Sequence, residues 1–467
     1  MPIVVDLDGT LIRSDLLVES ALALLRRAPL AAWRLPLWLA RGRAALKEEL
    51  ARRAPPDPAT LPYDEALLAW LRARHAEGRR IVLATAADGA LARAVAAHLG
   101  LFDEVLASDG RINLKGEAKA EALRARFPGG FVYCGDAPPD LAVWRAATGA
   151  VPVGVAAGLR ARIEAPVVAE FPRARPSLEL WLRALRAHQW SKNLLVLAPL
   201  FLSHHYGDAG AWAAVLLGMA ALCLLASGTY LLNDLLDLPA DRAHRSKRRR
   251  PLASGLLPVR AALAAAPVLV GLGLGLAALL GVAPLLAVLA YLALTLLYSL
   301  RLKREPMLDV GCIAALFTLR LALGVVLAGA EFSAWLMSFS GLLFFSLALA
   351  KRHTECVAVA ARGAEEVPGR GWRGSDAPVT LALGAGATVA AVMIFLVYLT
   401  LDAAPAGLYR DPEALWGIAA LMLLWCGRVW LLANRGQMHD DPVAFAVRDR
   451  LSLIYGALAA LCFLVAL

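Results

Sequence analysis

Cysteine is sparse and unpaired. Six residues, at 134, 223, 312, 356, 426 and 462, are spread over 467 positions with no C-x-x-C pair, so neither a disulfide framework nor a cysteine zinc site is expected. Met1-Pro2-Ile3-Val4-Val5-Asp6 shows no basic stretch followed by an apolar core, so these residues are not expected to act as a secretory leader. Charge is missing from much of the second part. Residues 1–188 carry a charge every few positions, whereas from Leu194 long apolar runs alternate with short charged segments. A run of about 20 apolar residues spans a bilayer, so this part is expected to be a helical membrane domain. The hydrophobic fraction of 59% agrees, against roughly 45–50% in soluble domains. The net charge of +10 gathers beside apolar spans, the pattern of a cytoplasmic membrane face, so no nucleic-acid partner is expected. The Ala-, Arg- and Leu-rich composition is compatible with a GC-rich bacterial genome.

In the first part, strand-like runs at Ile3–Leu7, Arg80–Ala86, Phe131–Cys134 and Val151–Val155 alternate with helical patterns near 89–99 and 117–126. This alternation predicts a parallel sheet covered on both faces. Arg-rich amphipathic helices fill 15–75, and 156–180 reads as an irregular link containing Pro166, Pro172 and Pro176. Trp181–Trp190 reads as a helix at the membrane interface. Nine spans are expected, near 192–206, 211–233, 259–281, 284–300, 307–328, 333–350, 378–400, 413–432 and 450–467. Lys and Arg crowd 242–250, 301–304, 351–373 and 435–450, while the alternate loops hold almost none apart from Arg410. The positive-inside rule then puts these loops and the N-terminal domain in the cytoplasm, the protein being multi-pass in a bacterial inner membrane.

The first strand ends in Asp6-Leu7-Asp8-Gly9-Thr10. Carboxylates at a strand's C-terminal end sit where open parallel sheets bind ligands. Two acids two residues apart suit covalent phosphoryl transfer: one attacks phosphorus, the other protonates the leaving oxygen and later activates water. Facing a phosphate, they need a cation between, and oxygen ligands select Mg²⁺. Thr85 ends the second apolar strand, Lys115 (with Lys119 as the alternative) can neutralise the phosphate, and Asp136 and Asp140 follow a third strand as metal-side carboxylates. These four motifs in order resemble the haloacid dehalogenase superfamily, within it the phosphoserine-phosphatase-like enzymes. The resemblance covers 1–155. It implies Asp6 as nucleophile, Asp8 as acid/base, Asp136 as Mg²⁺ ligand with Asp140 in support, and a helical cap within 15–75. A degenerate domain that only scaffolds the membrane part is the alternative.

The second span ends in Asn233-Asp234-Leu235-Leu236-Asp237-Leu238-Pro239-Ala240-Asp241. Acids at i, i+3 and i+7 share one helix face, and at a membrane-helix end they are expensive unless they bind something. Convergence on Mg²⁺ that holds a diphosphate is expected, with Pro239 bending the helix before Asp241. Arg245, Lys247, Arg248, Arg249 and Arg250 follow, either as an anchor to anionic lipid or as phosphate clamps. This stretch resembles the first aspartate-rich motif of the UbiA prenyltransferase superfamily, nine-helix intramembrane enzymes acting on isoprenoid phosphates. The whole chain then reads as a Rossmann-like α/β domain with a cap (1–155), a linker and interfacial helix (156–188), and an all-α nine-helix UbiA-type bundle (189–467).

The prenyltransferases of that superfamily carry a second D-x-x-x-D motif after span six. Here the loop begins Lys351-Arg352-His353-Thr354-Glu355, with no aspartate pair. Gln189-Trp190-Ser191-Lys192-Asn193, Tyr298-Ser299 with Lys303, Asp309 with Arg320, and Asp441-Pro442 with Arg448-Asp449-Arg450 complete a resemblance to polyprenyl-phosphate phosphoribosyltransferases. That branch implies phosphoribosyl pyrophosphate and a polyprenyl phosphate as substrates, met by Lys192, Asn193, Asn233, Lys303, Lys351, Arg352 and Glu355. Arg320, deep in an apolar helix, is either a phosphate ligand or a structural pair with an acid or carbonyls. The fused phosphatase is expected to remove the 5-phosphate of the product. The rivals are prenyl transfer from a prenyl diphosphate, and a lipid-binding or transport protein with a regulatory phosphatase.

Overall fold

The computed structural model describes residues 1–108, 113–244, 246–405, 409–438 and 442–467. They fall into two compact units, Met1–Ala187 with Tyr230–Val268, and His188–Thr229 with Leu269–Leu467.

In the first unit, strands β1 (Ile3–Val5), β2 (Ile81–Asp88), β3 (Glu104–Ser108), β4 (Val132–Gly135) and β5 (Gly149–Pro152) form a sheet in the order β3-β2-β1-β4-β5. All neighbours are parallel. The central strands are buried on both faces, which explains why they read as continuous apolar runs. Leu67, Leu68, Leu71, Leu91 and Val95, from Glu65–Ala76 and Gly89–Leu99, pack in one core, and Ala120, Leu123, Val143 and Trp144, from Glu117–Arg126 and Leu141–Ala146, in a second. β3 lies outside the strands expected from sequence; it is a half-buried edge, so it lacks their apolar density.

In the segment expected to hold a cap, the helices Leu16–Arg27, Leu35–Ala40 and Arg43–Arg53 close around Leu24, Trp38, Leu50 and Ala54. Asp15 caps the first of them, accepting the N–H groups of Leu17 and Val18. The stretch read as an irregular link instead extends the sheet edge through the bridges Ala150↔Val167 and Val153↔Phe171.

Seven helices among the described residues are long and apolar enough to cross a membrane: Ala209–Leu236, Val259–Leu279, Val282–Leu300, Leu308–Leu327, Ala334–Ala360, Gly374–Ala403 and Pro412–Asn434. The nine expected spans are reduced at both ends. The region of the first is a 3-10 stretch, Ala187–Leu197, followed by a five-residue helix, Ala198–Leu202. Buried Asn193 interrupts its apolar face. The last is Arg450–Ala466, 17 residues, about 26 Å at 1.5 Å per residue and so shorter than a typical bilayer core. Small residues allow close helix packing. A Cβ on Gly384 would overlap the Trp430 ring, whose indole N–H donates to Ser346 Oγ at 3.0 Å.

Candidate active sites

Asp6 follows β1 directly, so the strand aims it at the sheet's C-terminal edge. Lys119 Nζ donates to Asp6 Oδ1 at 2.8 Å and to Tyr133 Oη at 3.0 Å, and Tyr133 Oη donates to Asp140 Oδ1 at 2.8 Å. Asp140 Oδ2 accepts the backbone N–H groups of Asp136 and Ala137, at 3.1 and 3.0 Å. Ligand oxygens of Asp6, Asp136 and Asp140 lie within 4.8 Å of one another. Thr10 Oγ1 donates to Asp136 at 3.0 Å. Asp8 stands apart from this trio, its carboxylate accepting the Leu16 N–H at 2.8 Å. Thr85 is fully buried, and its hydroxyl accepts the Ala87 N–H at 3.0 Å. All these acids and Thr85 line one cleft of about 1080 Å³.

Two sequence expectations change here. Lys119, in the first turn of Glu117–Arg126 and buried, is the lysine on Asp6, whereas Lys115 precedes that helix and is exposed in the same cleft. Asp8 was grouped with the metal carboxylates, but its side chain is held by the start of the cap helix instead.

The charge balance fits a divalent cation. Burial pushes the Asp8 carboxyl up to about 8, with Asp15 adding to it, and burial with the Asp6 charge pushes Asp136 up to about 7. Burial also raises Asp6, against the pull of Lys119. Three carboxylates share one lysine, and an all-oxygen donor set of this size suits Mg²⁺. Gly9 makes the crowding possible: its φ is +79°, and a Cβ there would run into the Asp136 carboxylate. A carboxyl raised in the folded state, as Asp136 is, binds more protons folded than unfolded between about pH 4 and about pH 7, so its stability contribution falls as pH rises through that window. Mg²⁺ competes for the same oxygens. It is therefore expected to raise the thermal transition of the full-length protein more near pH 8 than near pH 5; equal shifts at the two values would refute the assignment.

The acidic motif lies in the same unit. The long helix stops at Leu236, Asp237 stands at the boundary before a short helix Leu238–Ala243, and Pro239 sits in its first turn. Arg186 Nη2 donates to Asp234 Oδ1 at 2.5 Å, and Arg250 Nη1 bridges Asp234 at 3.2 Å and Asp241 at 2.6 Å. The expected three-acid convergence is not formed: among the described residues only Asp6, Asp136 and Asp140 gather as a trio of candidate ligands. The break at Asp237 turns Asp241 onto Arg250, while Asp234 and Asp237 remain at i and i+3. Arg186, at φ +53°, stacks 4.7 Å from the Tyr230 ring centre. Sequence reading missed it because it lies 48 positions before Asp234. Asn233 is half-buried, Lys247 and Arg248 are exposed, and Arg245 lies outside the described residues.

A buried ion pair was also missed. Arg242 grips Glu19 of the cap helix through two bonds, at 2.7 and 3.1 Å, with both side chains at most 5% exposed. Arg260 pairs with Asp15 at the start of the same helix. The cap is thus fastened to 242–260, a contact with no local sequence signature.

In the second unit, Arg320 donates to Asn193 Oδ1 (2.9 Å), Leu316 O (2.7 Å) and Tyr291 Oη (2.7 Å). It is buried among these three acceptors, and Asp309 is not one of its hydrogen-bond partners. Asp309 takes Arg352 Nε at 2.5 Å, Arg370 Nη1 at 3.1 Å and Trp372 Nε1 at 3.0 Å, and Arg370 also donates to Tyr298 Oη at 3.0 Å. Arg352 is 1% exposed and also reaches Glu355 at 2.7 Å. The basic loop expected to meet substrate therefore spends Arg352 on an internal pair. Asp309 begins one helix and Arg352 lies near the end of the next, so antiparallel packing brings them together. Lys192 lies 5.8 Å from the Phe317 ring centre, and Lys303 and Lys351 also make protein contacts. Asp441 lies outside the described residues.

The profile described as the UbiA prenyltransferase family matches residues 194–463. The chain belongs to the UbiA prenyltransferase family. Ahead of its UbiA domain, residues 3–145 match haloacid dehalogenase-like hydrolase. An uncharacterized protein of Sinorhizobium fredii is 42% identical over 471 residues, covering 100% of this chain and 91% of that protein. Decaprenyl-phosphate phosphoribosyltransferase of Corynebacterium glutamicum is 38% identical over 185 residues, 37% of this chain and 54% of that enzyme. A solved UbiA homologue from Archaeoglobus fulgidus, bound to GPP and Mg²⁺, is 20% identical, with a TM-score of 0.45 over 62% of this chain and 98% of that one.

Proposed function

We propose that the UbiA domain transfers 5-phosphoribose from phosphoribosyl pyrophosphate to a polyprenyl phosphate, and that the N-terminal domain removes the 5-phosphate to give polyprenyl-phosphoryl-ribose. The observation that carries the first step is Asp234, ending a membrane-length helix with two arginines on its carboxylate. Acids beside guanidinium groups suit a diphosphate, since Mg²⁺ is bound through one or two carboxylates plus substrate phosphates. Mg²⁺ on Asp234 and Asp237 would supply the counter-charge. A phosphate oxygen of the lipid attacks the anomeric carbon, the bond from that carbon to the pyrophosphate oxygen breaks, and the centre inverts. Arg186 and Arg250 take up the charge that develops on the departing pyrophosphate. The name of the Corynebacterium relative supports the donor and acceptor.

In the second step Asp6 attacks the 5-phosphoryl group and the P–O bond to the ribose breaks. Asp8, whose carboxyl is raised to about 8, holds a proton near neutral pH for the leaving oxygen. It then takes a proton from the water that releases phosphate from Asp6. Lys119 and Thr85 face the phosphoryl oxygens. Asp6, Asp136 and Asp140 would hold Mg²⁺, which offsets the charge on that group. In this reading both sites work on the cytoplasmic side of a bacterial inner membrane.

The family's description favours a second reading, prenyl transfer from a prenyl diphosphate. Purified protein with Mg²⁺, labelled phosphoribosyl pyrophosphate and polyprenyl phosphate is expected to place label in the lipid, and Asp234→Asn to lower that rate by about 100-fold or more. Prenyl diphosphate consumed with no label in lipid would establish the second reading instead.

A further inference from the structure

The cleft around Asp6, about 1080 Å³, is much larger than a phosphoryl group, and one wall of it is distinctive. That wall comes from the linker at 172–176 and from 255–260, which follows the acidic motif. Two other arginines on the cleft are committed: Arg13 binds Asp64, and Arg173 binds Asp64 and the carbonyls of Gly9 and Thr10. Arg175 and Arg260 differ. Arg175 is exposed and makes no hydrogen bond or ion pair among the described residues. Arg260 is 72% exposed, with one guanidinium nitrogen on Asp15, and an arginine carries five N–H donors. Beside them Leu256 is exposed on the wall, with Val259 buried behind it. Val259 and Arg260 are also the first residues of a helix long and apolar enough to cross a membrane. One wall of the cleft therefore includes the first residues of a helix of membrane-crossing length and hydropathy.

Resting on the phosphatase reading of Asp6, we propose that Arg175 and Arg260 form a second anion subsite that holds the phosphodiester of a lipid-linked phosphomonoester. The terminal phosphate goes to Asp6 and the diester to the two guanidinium groups, which suit phosphate oxygens. The chain beyond the diester runs over the exposed Leu256 towards the membrane. The subsite selects substrates with two phosphates over a simple sugar phosphate.

The test measures phosphate release by the full-length protein in detergent with Mg²⁺. Three substrates are compared: ribose 5-phosphate, methyl-phosphoryl-5-phosphoribose and polyprenyl-phosphoryl-5-phosphoribose. Wild type is expected to prefer the two diesters through a lower KM. Arg175→Ala and Arg260→Ala should each cut the kcat/KM preference for both diesters by about 10- to 100-fold, and Arg175→Lys should keep part of it. An unchanged preference overturns the proposal. So does an equal loss on all three substrates, which would put the arginines on the transferred phosphoryl group. A loss confined to the polyprenyl substrate assigns them to the lipid surface and also overturns it. Release from none of the three removes the phosphatase reading itself, and this proposal with it.

Discussion

Full-length protein carrying Asp6→Asn, given labelled phosphoribosyl pyrophosphate and polyprenyl phosphate, is expected to accumulate a labelled lipid that keeps its 5-phosphate, while wild type goes on to release inorganic phosphate. The amide keeps the shape of the side chain but cannot form an acyl phosphate, so hydrolysis should fall by about 10⁴-fold or more. The effect is confined to the second step because no atom of Asp6 belongs to the Asp234 cluster. Lys119 loses a charged partner but keeps Tyr133 at 3.0 Å, so the sheet is expected to remain folded. Thin-layer separation of the labelled lipids before and after treatment with an external phosphatase reads the outcome directly. A variant that makes the same final lipid as wild type would sink the coupled-phosphatase reading.

Asp309→Ala should instead act on stability. Asp309 is fully buried and accepts from Arg352, Arg370 and Trp372. Removing it leaves Arg352, at 1% exposure, with Glu355 as its remaining carboxylate partner, and leaves the Trp372 indole N–H without this acceptor. Breaking a buried pair from one side costs about 3–5 kcal/mol. The expected result is a clear drop in the thermal transition of the detergent-solubilised protein. Asp309→Leu combined with Arg352→Met should recover part of it, since an apolar pair of similar volume carries no stranded charge. If Asp309→Ala melts like wild type but transfers no label to lipid, Asp309 belongs to substrate binding, as its sequence context implied, and the structural reading is lost.

The two expectations that moved most were both about arginine. Arg320 stands out in sequence because charge inside an apolar helix is costly, and that cost calls for a partner without saying which; Arg352 reads as a loop residue meeting substrate, whereas the helix Ala334–Ala360 runs through it. Asn193 and Tyr291 lie 127 and 29 positions from Arg320, and Asp309 lies 43 positions from Arg352. Side chains that distant are joined by helix packing, which no local pattern encodes. Lys119 follows the same rule on a smaller scale: Lys115 and Lys119 differ by about one helical turn, and the burial of Glu117–Arg126 selected between them.

Sequence alone determined the division into a charged, strand-and-helix first part and an apolar second part, the order of the haloacid dehalogenase-type motifs, and the spacing of the acids at a helix end. Those features are periodic or local, set by hydrophobic spacing, strand ends and the cost of exposed charge in a bilayer. Only the tertiary structure decided which lysine meets Asp6, that Arg250 joins Asp234 to Asp241, that Arg242 fastens the cap through Glu19, and that the linker and the start of a membrane-length helix wall one cleft. Each depends on groups far apart in the chain being held within hydrogen-bonding distance, and that selection is made by packing.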